Sequence, residues 1–409
     1  MNCERIVENM EKYLVINAGS SSLKFSLYEM PTEKLLINGY FEKIGLEDCF
    51  WSVKINGQKL ERVGFLSNHS DAVKEMINEL KINGIINSMD EISGVGHRVL
   101  HGGEIYSDSV VITEKVLNDI IDLTNLGPLH HPGEIAGIKA MMEALPDVSQ
   151  IAVFDTAFHQ TMPERNYMYA VPYSWYQDYK VRRYGFHGTS HKYLTEYMKK
   201  ELAKEDVNLI ICHVGSGASI SCIKDGICFA TSMGLTPLDG LMMGTRSGNI
   251  DPSILQFVMD ETGMSVEEVT NELNKNSGLL GVCGKSDFRD MLALKLNGDK
   301  RAMLAYDMYR DSIIKIIAEY YFKLEGKLDA IVFTAGVLEN NSIIREDLVN
   351  KMSNILEISI NKEINDNIGA GKEFKTGVIT KDDSRIPVYV VPTNEEVMIV
   401  RDTYHIINK

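Results

Sequence analysis

Leu14-Val-Ile-Asn-Ala-Gly-Ser-Ser-Ser-Leu-Lys-Phe-Ser-Leu27 is an apolar run that stops at Gly19, passes three serines and resumes at Leu23. That pattern is a strand, a tight turn and a second strand. Half a chain later, Leu209-Ile-Ile-Cys-His-Val-Gly-Ser-Gly-Ala-Ser-Ile-Ser-Cys222 repeats the design. Two such units at that separation suggest a duplicated domain, although two unrelated hairpins would produce the same short pattern.

Outward from these turns, strand-like runs alternate with helical ones. Tyr13–Asn17, Phe25–Glu29, Ile151–Asp155, Leu209–His213, Ala330–Thr334 and Pro387–Val391 are short, apolar and closed by polar or glycine punctuation. Asp71–Lys81 places Val73, Met76, Ile77 and Leu80 on one helical face, and Pro252–Met259, Ser265–Asn274, Asp299–Leu324 and Ser342–Leu356 read as helices too. Ser265 and Glu268 have the spacing of a capping box, as do Thr393 and Glu396 at the head of the last helix. The class is α/β.

The 409 residues suffice for about two or three domains. A net charge of −15, from 42 basic and 57 acidic side chains, disfavours a polyanion such as nucleic acid as the main partner. The six cysteines form no C-x-x-C pair and no zinc spacing, so they read as reduced thiols. The charged Met1–Lys12 segment lacks a signal-peptide core, and no apolar run is long enough for a bilayer. A cytoplasmic protein with no membrane partner is expected.

Three turns carry phosphate chemistry. In the first, Gly19 frees the backbone, Ser20 and Ser22 offer hydroxyls and N–H groups, and Lys24 adds charge. In the second, His213-Val-Gly215-Ser216-Gly217 allows close backbone approach. The third is the strand-to-turn junction at Gly336, of the kind that seats nucleotides. Arg98 lies in Gly96-His-Arg-Val-Leu-His-Gly-Gly-Glu104, His187 in Gly185-Phe-His-Gly-Thr-Ser-His191 ahead of a Thr/Ser cap, and Arg246 in Met243-Gly-Thr-Arg-Ser-Gly-Asn249. Flanking glycines make each a candidate for function over packing, with Arg246 expected to be exposed. Asp155 ends a strand, where α/β proteins place catalytic acids. Glu395 is the better metal candidate of its pair, because the capping box would occupy Glu396.

From about Tyr13 onward the chain resembles the acetate kinase family, in Val15–Lys24, Gly96–Glu104, Pro128–Pro132, Phe154–His159, Tyr184–His191, His213–Ser219, Ser232–Ile250, Phe333–Asn340 and Pro392–Val397. The resemblance implies duplicated actin/hexokinase/Hsp70-like (ribonuclease H-like) domains with an interdomain active-site cleft, here 1–156 joined by 393–409, and 157–392. It implies ATP/ADP and Mg²⁺ (or Mn²⁺) as cofactors, acetate and acetyl phosphate as substrates, and a homodimer. By the same resemblance, Asn17 and Glu395 hold the metal. Arg98 and Arg246 flank the carboxylate and the phosphoryl, His187 contacts the phosphoryl, and Asp155 orients an arginine or the metal shell. His130 supports the substrate, Leu100, Leu129, Phe186 and Pro237 line the acyl pocket, and Asn340 joins Gly336 at the nucleotide.

The chemistry agrees. A carboxylate is ionised at neutral pH, so no general base is needed, and the task is to bring two anions together and stabilise dispersed charge. Replacing Arg98 or Arg246 by Ala is expected to nearly abolish turnover and leave the fold intact. The chain departs from the family at Ser216, His131 and Asn249, at Leu338 (a glycine in the family) and at Leu100 (often Val). A propionate or butyrate kinase on the same scaffold, a chaperone-like ATPase and a pyrophosphate-dependent enzyme are the alternative readings.

Overall fold

The computed structural model describes residues 10–128 and 130–409. The chain divides into two compact units: residues up to Phe158 together with Asn394–Lys409, and His159–Thr393.

The first unit is built on eight strands: β1 (Glu11–Ala18), β2 (Ser22–Met30), β3 (Lys34–Glu42), β4 (Phe50–Ile55), β5 (Gln58–Val63), β6 (Ile92–Val99), β7 (Val110–Val111) and β8 (Gln150–Phe154), in the order β5-β4-β3-β2-β1-β6-β8-β7. The second has six: β9 (Leu209–Val214), β10 (Ala218–Lys224), β11 (Ile227–Thr231), β12 (Ala330–Thr334), β13 (Gly377–Val378) and β14 (Val388–Val390), in the order β11-β10-β9-β12-β14-β13.

Set β4 and β5 aside, and β3-β2-β1-β6-β8-β7 maps strand for strand onto β11-β10-β9-β12-β14-β13. The pairing sense matches as well: two antiparallel pairs, two parallel pairs, then an antiparallel edge. The two hairpins quoted above, β1–β2 and β9–β10, occupy the same place in each sheet. Unrelated hairpins would not share the four further pairings, so the duplication holds.

The strands legible as unbroken apolar runs, such as β9 and β12, are buried at every position, as expected for central strands covered on both faces. In the first unit, alternate side chains of β1 point to opposite faces. Leu14, Ile16 and Ala18 join a core with Met76 and Leu80 of the helix His69–Ile82 and with Ala140 and Met141 of the helix His131–Ala144. On the other face, the last helix, Glu395–Ile407, lies against β1 and β6. A Cβ on Gly94 would come within 2.3 Å of Ile407 Cδ1, and one on Gly96 within 2.3 Å of Thr403 Oγ1. Gly94 and Gly96, ahead of Arg98, therefore serve helix packing.

The box Ser265/Glu268 forms at the head of the helix Val266–Lys275. The one expected of Thr393 and Glu396 does not. Asn394 caps the last helix, accepting from Val397 N, while the Glu396 carboxylate accepts from Ser26 and Tyr28 hydroxyls on β2. Tertiary partners outcompete the local backbone here. Among the described residues no helix is long and apolar enough to cross a membrane.

Candidate active site

Each unit carries its own set of polar groups. In the first, Gly19 N donates to Ser22 O at 2.8 Å and closes the turn between β1 and β2. Ser20 is exposed and Ser22 half-buried. Asn17 and Lys24 sit opposite each other in the β1–β2 register, with Lys24 exposed. Two residues not anticipated hold this turn. His69 Nε2 donates to Gly19 O at 2.7 Å. Gly133, near the start of the helix His131–Ala144, packs so closely that a Cβ there would lie 2.3 Å from Gly19 C and 2.7 Å from Ser20 N.

Arg98 is on β6. Its Nη2 and Nε donate to Asp155 Oδ2 and Oδ1 at 2.6 and 3.2 Å, a bidentate pair, and Nε lies 3.9 Å from Glu395 Oε2 at the head of the last helix. Asp155 is fully buried at the end of β8 and holds the guanidinium pKa above its usual value. Removing Arg98 therefore strips a buried carboxylate of its cation, so Arg98→Ala should lose stability as well as turnover.

Leu100 is buried, and its N–H donates to both oxygens of Glu134, at 3.1 and 3.2 Å. Burial pushes the Glu134 carboxyl up to about 8, against the pull of Arg98. His130 is half-buried and precedes the helix His131–Ala144. His131, where the family has Asn, is buried beside Leu100 and bonds through Nδ1 to Ile120 O at 3.0 Å. Leu129 lies outside the described residues.

In the second unit, His187 has a left-handed backbone (φ 58°) and directly precedes the helix Gly188–Glu201. Thr189 and Ser190 are thus inside its first turn and do not cap it. The His187 ring stacks on His213, centroids 4.2 Å apart, and Phe186 is buried, its carbonyl accepting from His159 Nε2 at 3.0 Å.

Arg246 is not exposed as expected. It is half-buried and donates to Pro237 O at 3.2 Å, and burial lowers its pKa. No carboxylate lies within ion-pairing distance of it among the described residues. Asn249, also a departure from the family, holds the Arg246 loop by exchanging bonds with Gly240. Arg246 Nη1 and His187 Nε2 converge over the second turn: they lie 3.5 and 3.6 Å from the point where a Cβ on Gly217 would sit.

Beside that point is a cavity of about 500 Å³, lined among others by Gly215, Ser216, Gly336, Asn340, Asp287 and Arg289. Its size is typical of small-molecule sites. The sequence reading found its glycine turns and Asn340 but missed Asp287, Phe288, Arg289 and Tyr309, which carry no local signal. Asn340 donates to Gly336 O at 3.0 Å. Leu338 is fully buried and is not among the lining residues. Behind it, the buried Arg345 donates to the carbonyls of Leu338, Glu339, Asn365 and Ile368 and to Asn365 Oδ1.

A sequence profile of the acetokinase family matches residues 12–401. The chain belongs to the acetokinase family. The acetate kinase of Bacillus cytotoxicus is 49% identical over 98% of this chain and 100% of that protein. Among solved structures, the acetate kinase of Porphyromonas gingivalis matches with TM-score 0.91 and 42% identity, and a propionate kinase of Francisella tularensis with TM-score 0.91 and 41% identity. Each covers 97% of this chain and 100% of its own. The duplicated actin- and hexokinase-like fold expected from the sequence is the fold of this acetokinase.

Proposed function

We propose that the chain reversibly transfers the terminal phosphoryl of ATP to acetate, giving acetyl phosphate and ADP. One observation carries the reading. A guanidinium without a carboxylate and an imidazole converge over a glycine turn, at the edge of a nucleotide-sized cavity. A partly desolvated cation lacking an anion is a preorganised site for one, and a transferring phosphoryl spreads its charge over oxygens that need such donors.

In this reading Arg246 and His187 hold the phosphoryl. The turns at Ser20–Ser22 and Gly215–Gly217, with Lys24 and His213, bind the phosphate chain, and Gly336 and Asn340 seat the nucleoside end. Arg98, fixed by Asp155, binds the acetate carboxylate, which attacks directly because it is already ionised. Leu100, His130, Phe186 and Pro237 are assigned to the methyl group.

Asn17 and Glu395 fit a divalent cation. They are hard oxygen donors, few in number, which suits Mg²⁺ that keeps most of its waters and its nucleotide oxygens; Mn²⁺ could replace it. Among the described residues no cluster of three or more His, Cys, Asp or Glu forms a dedicated cage. When bound, the cation neutralises phosphate charge.

The propionate reading is favoured by one observation, the propionate kinase of Francisella tularensis at 41% identity. One methylene changes binding by only about 1–3 kcal/mol, so overlapping activity is expected. The pyrophosphate reading loses its motive, because Leu338 packs away from the cavity. A homodimer is supported by the helix Ser253–Thr262, which buries none of its residues and leaves Ile254 and Phe257 exposed. A cytoplasmic setting is supported by the five described cysteines, all free thiols.

Trapping acyl phosphate with hydroxylamine, across acid chain length and phosphoryl donor, tests the assignment. Acetate with ATP should give the highest kcat/KM. A maximum at three or four carbons moves the assignment to propionate or butyrate, and hydrolysis of ATP without hydroxamate refutes it.

A further inference from the structure

Ser219, on β10, is fully buried, and its Oγ lies 2.8 Å from His187 Nδ1 and 2.8 Å from His191 Nε2. A hydroxyl has one proton and two lone pairs; were it to accept from both rings, its own buried proton would have no acceptor among the described residues, so it donates to one ring and accepts from the other. Which way round is decided at the far side of His191. That ring is fully buried on the helix Gly188–Glu201, and its Nδ1 has no hydrogen-bond partner. Burial, with His159 and His213 nearby, holds its pKa well below the usual histidine value, so the ring is neutral and carries one proton.

Were that proton on Nδ1, a buried N–H would be orphaned, a rare and costly state, whereas an unused lone pair there costs less. The proton therefore sits on His191 Nε2 and is donated to Ser219 Oγ. The Ser219 hydroxyl then donates to His187 Nδ1, which must accept. That leaves the single proton of a neutral His187 on Nε2, the nitrogen that converges with Arg246 Nη1 over Gly217.

We propose that Ser219 and His191 are positioning residues that lock His187 as its Nε2–H tautomer, so that the ring presents a hydrogen-bond donor to an oxygen of the transferring phosphoryl. The opposite tautomer would turn a lone pair toward that oxygen and repel it. The inference rests on the assignment of His187 to the phosphoryl made above, and on nothing in the other unit.

The test is long-range ¹H–¹⁵N spectroscopy of the full chain with ¹⁵N-labelled histidine rings, His187 being assigned by loss of its signals in His187→Gln. In the wild type, His187 Nδ1 should resonate as an unprotonated nitrogen and Nε2 as a protonated one. The reverse pattern, or a doubly protonated ring, overturns the proposal.

Ser219→Ala should mix the two tautomers of His187. It should lower kcat between about twofold, for an even mixture, and about 10²-fold, for a donor lost outright. An unchanged His187 pattern in Ser219→Ala also overturns it. His191→Gln, which keeps an N–H donor toward Ser219, should preserve the tautomer, and His191→Leu should not. Separately, if His187→Gln leaves kcat intact, the assignment of His187 to the phosphoryl falls while the tautomer result stands. If His187→Gln removes activity but the tautomer is wrong, the reverse holds.

Discussion

Arg98 and Arg246 should respond oppositely when their charge is removed, and the structure sets the size of the difference. Replace each by Met, which keeps much of the side-chain volume. At Arg98 the loss uncovers Asp155, fully buried and gripped through two bonds of 2.6 and 3.2 Å. Breaking a buried pair from one side costs about 3–5 kcal/mol, because the remaining charge has lost its counter-ion in a poorly solvating site. For a unit of this size that lowers Tm by roughly 6–20 °C. Adding Asp155→Asn to Arg98→Met removes the stranded charge and should restore most of the loss.

At Arg246 no carboxylate is uncovered; the guanidinium itself is the strained group, its pKa depressed by burial. Arg246→Met should leave Tm unchanged or raise it slightly. Both single variants should lose on the order of 10²–10³ in kcat. Thermal and denaturant unfolding, alongside hydroxamate trapping, measure the two effects. Equal destabilisation at both positions would falsify the charge argument, and normal turnover in Arg246→Met would remove Arg246 from the mechanism.

Glu134 should make stability pH-dependent. Its folded pKa of about 8 lies above the unfolded value near ~4.3, so the folded state holds a proton the unfolded chain lacks. This contribution is complete below the lower value and is lost as pH rises through the higher one, by up to about 1.4 kcal/mol per pH unit. Urea unfolding at pH 6 and 8 should show wild type weakening relative to Glu134→Gln, and parallel behaviour of the two proteins counts against it. Arg345→Met orphans several buried carbonyls at about 1–3 kcal/mol each, a large share of a total stability of about 5–15 kcal/mol. It should express poorly or melt early, and Arg345→Lys, which retains a single donor group, should recover part of the loss; a wild-type melting temperature in both argues against the clamp. Gly133→Ala drives a methyl into the Gly19–Ser20 backbone, so KM for ATP should rise several-fold in steady-state kinetics, and an unchanged KM counts against a role of that turn in nucleotide binding.

What could be read from the sequence was what local pattern controls. The central strands β9 and β12 are continuous apolar runs because helices or loops cover both their faces, and the repeat of strand, glycine turn and strand marked the duplication. The glycine turns at Gly19, Gly215 and Gly336 were visible because backbone freedom has a local signature. Side chains whose meaning comes from distant partners were not. The glycines before Arg98 read as a sign of function over packing, yet Gly94 and Gly96 let Ile407 and Thr403 approach β6. The Thr393–Glu396 spacing satisfied a helix-cap rule, yet Ser26 and Tyr28, on the far side of the sequence, claim the carboxylate. Glu134, His69, Arg345 and Asp287 gave no sign in their own neighbourhoods.

The two arginines show why a motif cannot rank its own residues. In the sequence each is an arginine near glycines, and the resemblance gives them matching roles. In the structure one is paired with a buried carboxylate and the other is a cation desolvated without an anion. A paired guanidinium is already oriented and can bind a carboxylate with little reorganisation. An unpaired one has lost hydration that only an incoming anion restores, so it gains most when negative charge arrives. The division suits a reaction in which a stable carboxylate must be held still and a phosphoryl must be stabilised only in flight. It also places the stability cost of the unpaired cation at Arg246, where function and folding pull in opposite directions.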